Sequence, residues 1–70
     1  MTRDQWMRRC AQRFIDKADM DAGSAAACAE ECARDQRSDR GLNPAGWLQP
    51  ESAADEVLRY WDDADAKRQA

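Results

Sequence analysis

Three observations predict an all-α fold, a small three-helix bundle made of a helical hairpin and a third packed helix. Apolar residues recur at helical spacing near both ends of the chain, as Trp6, Cys10 and Phe14 and as Ala54, Val57, Leu58 and Trp61, with Ala53 and Tyr60 widening the second stripe. Between them, residues 22–33 read AGSAAACAEECA and hold no large side chain. No segment shows the two-residue alternation of a half-buried strand. The expected arrangement is a thin central helix built from the small-residue stretch. The two bulkier helices close around it, the third packing across its small-residue face.

The first helix is expected over residues 3–18. Thr2 and Gln5 have the spacing of a capping box. At about 100° per residue, Trp6, Met7, Cys10, Ala11, Phe14, Ile15 and Ala18 fill one half of the wheel. Arg8, Arg9, Gln12, Arg13 and Asp16 fill the other.

The second helix is expected over 22–37. Asp21 is the N-cap suggested by the break at Asp19-Met20-Asp21, with Ser24 as a rival. Ala25, Cys28, Ala29, Cys32 and Ala33 share one face, and Gly41 is the terminator. Alanine favours the helix but offers little apolar area, so this element needs its neighbours.

Residues 38–50 form the expected loop, interrupted by two glycines and two prolines. Trp47-Leu48 is its odd feature. It either folds back as a lid over the core or stands out as an anchor for a partner or a second copy of the chain. The third helix is expected over 51–63, with Pro50 in its first turn and Gln49 or Ser52 at the cap. Asp55, Arg59 and Asp63 make a charge ladder on its outer side. Residues 1–63 thus form one domain, and 64–70 a frayed tail.

Seventy residues give a marginal core. The net charge of −3 weighs against general nucleic-acid binding. The first 20 residues carry five cations against three acids, and the last 20 carry six acids against three cations. Opposite ends can therefore attract within one chain, or head to tail between two. No apolar run is long enough for a membrane span or a signal-peptide core, and the three cysteines suit a reducing compartment, so a cytoplasmic location is expected.

Histidine is absent, which removes the commonest general base and metal ligand. Cys10, Cys28 and Cys32 fall short of the usual four zinc ligands and read as small core residues, a redox link among them being the alternative. Asp55, Glu56, Asp62 and Asp63 read as solubility and dipole-matching charges around an apolar stripe. No catalytic residue, metal site or cofactor is expected. Arg9, Arg13 and Lys17 form a basic ridge beside Trp6 that either contacts phosphates or pairs with the acidic third helix.

The opening RDQWMRRCAQRFIDKADM and the ending ESAADEVLRYWDDADA resemble small uncharacterised helical proteins encoded by bacteriophages and prophages. The resemblance covers the first helix, part of the second and the last, and implies a phage accessory setting without a known activity. The resulting expectation is a non-enzymatic protein–protein interaction module whose partner is a host or phage protein. The residues expected to meet a partner are Trp47, Leu48, Arg9, Arg13 and Lys17. A nucleic-acid accessory role through the basic ridge, or a structural homodimer, is the alternative.

Overall fold

The computed structural model describes the backbone of residues 1–69 and the side chains of residues 1–62. Among the described residues there are three α-helices, α1 (Arg3–Ala18), α2 (Ala22–Arg40) and α3 (Pro50–Gln69), with a 3-10 turn at Pro44–Gly46 and no strand.

The helix starts follow from side-chain chemistry. Thr2 Oγ1 accepts from the Gln5 amide at 3.2 Å, and the Thr2 amide donates to Gln5 Oε1 at 2.9 Å, completing the capping box. Asp21 Oδ2 accepts from the Ser24 amide at 3.2 Å, so Asp21 and not Ser24 caps α2. The Ser24 hydroxyl, and after it the Ser24 amide, hold the Asp21 carboxyl below its usual range. At α3, the Gln49 carbonyl accepts from the Ala53 amide at 3.0 Å, which puts Pro50 at the first helical position.

The helix ends differ more from expectation. Asp19 closes α1 in the left-handed region at φ 53°, donating its amide to the Ile15 carbonyl. Aspartate enters that region more readily than most residues. α2 runs three residues past 37, because nothing before Gly41 breaks it and Arg37 and Arg40 suit its negative end. α3 continues to Gln69, past the expected stop at 63 and through most of the expected frayed tail. Ala70 and the side chains of 63–69, including the Asp63 end of the charge ladder, lie outside the described residues.

The packing order is also different. α1, not the small-residue helix, lies in the middle: both α2 and α3 pack along it and touch each other only narrowly. Cys32 and Gln36 of α2 and Ala53 and Val57 of α3 line one small pocket between them, and because the two helices touch only narrowly, α3 does not lie across the small-residue face. The bulky buried side chains Trp6 and Phe14 come from α1, and the flanking helices supply Ala25, Ala29, Ala33, Ala53 and Ala54. Large side chains on the axis and small ones on both flanks let three helices approach closely without voids.

α1 and α3 run parallel. Arg9 binds Glu51 and Arg13 binds Asp55, both across a separation of 42 residues. The molecule measures 40 × 24 × 15 Å.

Loop residues 41–49 are strapped down. The Leu48 amide donates to Gln36 Oε1 at 3.0 Å, and its carbonyl accepts from Trp6 Nε1 at 2.8 Å. One residue is thereby tied through its backbone to α1 and α2 at once. Trp47 donates Nε1 to the Gly41 carbonyl at 2.8 Å and meets Trp6 edge to face, centroids 5.2 Å apart. Such an aromatic pair adds roughly 0.5–1.5 kcal/mol beyond buried area.

Candidate functional site: the groove between α1 and α3

The two groups of residues expected to meet a partner lie at different levels of α1. Trp47 and Leu48 sit beside Trp6. Arg13 and Lys17 sit toward the other end, roughly 10–16 Å along the axis. Trp47 is only 8% exposed, so the lid is the arrangement realised and the protruding anchor is not. Leu48 is half-buried against the core.

The basic ridge is largely engaged by α3. Arg9 Nη2 lies 2.8 Å from Glu51 Oε1. Arg13 binds Asp55 bidentately, Nε to Oδ1 at 2.8 Å and Nη2 to Oδ2 at 2.9 Å. The planar guanidinium matches the carboxylate fork. This contact pushes Arg13 up and holds Asp55 below the usual carboxylate range, with Lys17 and Arg59 adding to the depression. At Glu51, partial burial works upward, but its own backbone amide and Arg9 outweigh it and hold the group low. The basic start and acidic end of the chain thus attract intramolecularly.

The third rung breaks the pattern. Advancing one turn from Arg13 and Asp55 brings Lys17 level with Arg59, cation against cation. Both are exposed, and both line a groove of about 550 Å³ with Arg13, Ala18, Asp55, Leu58, Trp61 and Asp62. Trp61 forms part of the wall, 37% exposed, its ring 5.8 Å from that of Phe14. Tyr60, expected to widen the apolar stripe of the third helix, is instead 72% exposed, because the core side of that stripe is filled by Ala53 and Ala54. Arg59, Leu58 and Trp61 were not among the residues expected to meet a partner. The signal was present: Arg9-Arg13-Lys17 and Glu51-Asp55-Arg59 share one spacing, and sliding one ladder along the other yields two attractive rungs and a repulsive third.

The three cysteines have no comparable surface. Cys10 and Cys32 are buried in the core and Cys28 is half-buried. The neighbouring Cys32 and burial push the Cys10 thiol up, and burial raises Cys28. Among the described residues no three His, Cys, Asp or Glu side chains gather so as to hold a metal ion. Among them, too, no helix is long and apolar enough to cross a membrane.

No family model, curated protein or solved structure matches this chain.

Proposed function

We propose that the chain is a non-enzymatic protein–protein interaction module of the phage or prophage type, acting in the cytoplasm on a host or phage protein. One observation carries this reading. Trp6, Phe14 and Trp47 are buried, whereas Tyr60 and Trp61 stand at the open edge of α3 beside a charged groove. Exposed aromatics beside charged groups are the side chains that dominate protein interfaces. The nucleic-acid alternative has less to draw on, because Arg9 and Arg13 already bind carboxylates and Glu51, Asp55 and Asp62 flank the same surface.

The test is capture from a host lysate by the full chain, comparing wild type with Tyr60→Ala. Tyr60 makes little core contact, so its removal leaves the fold within about 0.5 kcal/mol. A partner held by the wild type and lost from Tyr60→Ala supports the reading. No capture by the wild type, or capture indifferent to Tyr60 and Trp61, removes it. Trp47→Ala is unsuitable as a control because that ring belongs to the core.

A further inference from the structure

We propose that the α1–α3 groove is a carboxylate clamp for an acidic segment of a partner protein, with Lys17 and Arg59 as its jaws. The proposal rests on the reading of the chain as a protein-binding module. Three observations support it. The ladder that pairs Arg9 with Glu51 and Arg13 with Asp55 brings Lys17 level with Arg59, and among the described side chains neither of these two cations has a carboxylate within 4 Å. Lys17 and Arg59 line the same groove and both act on the Asp55 carboxylate, so their charges share one small region. Asp55 itself is taken bidentately by Arg13. An incoming carboxylate would supply the missing acid, repeating on a third rung the contact the fold makes on the first two.

The chemistry favours a carboxylate over a phosphate. The groove lining holds three cations, Arg13, Lys17 and Arg59, against two acids, Asp55 and Asp62. That surplus matches a single negative charge. A phosphate bears up to about two negative charges and meets stronger repulsion from the same acids. The end of α1 also works against anions, since its free carbonyls are the negative pole of the helix. The ligand is therefore held by side chains, in particular by the planar fork of Arg59. Leu58 and Trp61 give the wall an apolar part, suited to an aliphatic residue next to the acid.

The test is a ¹H–¹⁵N NMR titration of the full chain with a blocked peptide containing one glutamate followed by leucine. Its glutamine counterpart, inorganic phosphate and a short DNA duplex are separate arms. The expected result is saturable shifts at Lys17, Arg59 and the Trp61 indole with the glutamate peptide, weakened by salt and absent with glutamine. Lys17→Gln and Arg59→Gln should each weaken binding about tenfold, the loss of one charge-assisted contact, with the melting temperature unchanged. Asp62→Asn should strengthen it. Equal shifts with the glutamine peptide, or binding that survives the double Lys17→Gln, Arg59→Gln variant, overturn the clamp. Stronger shifts at these residues with phosphate or duplex overturn the carboxylate assignment. A captured partner lost with Tyr60→Ala yet retained by the double variant would defeat the clamp and leave the interaction reading standing.

Discussion

Trp6 closes the loop onto the bundle. It is 1% exposed, donates to the Leu48 carbonyl and meets the edge of Trp47. Trp6→Ala should cost about 3–5 kcal/mol, comparable with the whole stability of a domain this small. Trp6→Phe keeps most of the ring but orphans the carbonyl, at a cost of roughly 1–3 kcal/mol. Urea denaturation followed by circular dichroism should therefore find the alanine variant largely unfolded and the phenylalanine variant folded with an earlier midpoint. Gly41 isolates a backbone effect. It sits at φ 95° and ψ −175°, a region nearly reserved for glycine, and a Cβ there would meet no atom within 4 Å. Gly41→Ala should cost about 1–3 kcal/mol through conformation alone. Asp19 offers the opposite sign. Its left-handed backbone tolerates asparagine, and Asp19→Asn removes a negative charge from the negative end of α1. A gain of about 0.3–1 kcal/mol is expected at low salt in the same assay, shrinking as salt is added.

Between elements, the contact most sensitive to conditions is the ladder joining α1 to α3. Glu51 and Asp55 are both held below their unfolded values. Groups depressed on folding contribute stability above their unfolded pKa, about 3.9 for Asp and 4.3 for Glu, and lose it as pH falls through the folded value. The urea midpoint should therefore decline as pH drops below about 4, and the decline should be shallower in an Asp55→Asn variant. Arg13→Glu sets two carboxylates against each other and should lower the midpoint. Adding Asp55→Arg should restore part of the loss, a coupling that a double-mutant cycle reads directly. The ladders themselves were visible as spacings in the chain. Their mutual register was not, because a period of four residues says nothing about which turn of one helix faces which turn of another.

At the scale of the whole molecule, thiol chemistry reports how tightly the bundle stays closed. Cys10 and Cys32 are buried and Cys28 is half-buried. Under native conditions a maleimide should modify Cys28 first, with Cys10 and Cys32 following only as the bundle opens, so mass spectrometry of the time course separates local access from global unfolding. Equal labelling of all three without denaturant would mean that α2 does not stay packed on α1.

The chain alone determined the three helices, two of their caps by side chain, the buried character of Cys10, Phe14 and Ala29, and the opposite signs of charge at the two ends of the chain. These follow from local rules: helical periodicity, capping chemistry, and glycine where φ must be positive. The tertiary structure decided that α1 is the axis, that Trp47 turns inward, that Gln36 straps Leu48, and that Lys17 faces Arg59. An apolar stripe records that a face is buried and not what buries it. Large and small side chains fit equally well on either side of a contact, so only the joint packing of all three helices selects one order.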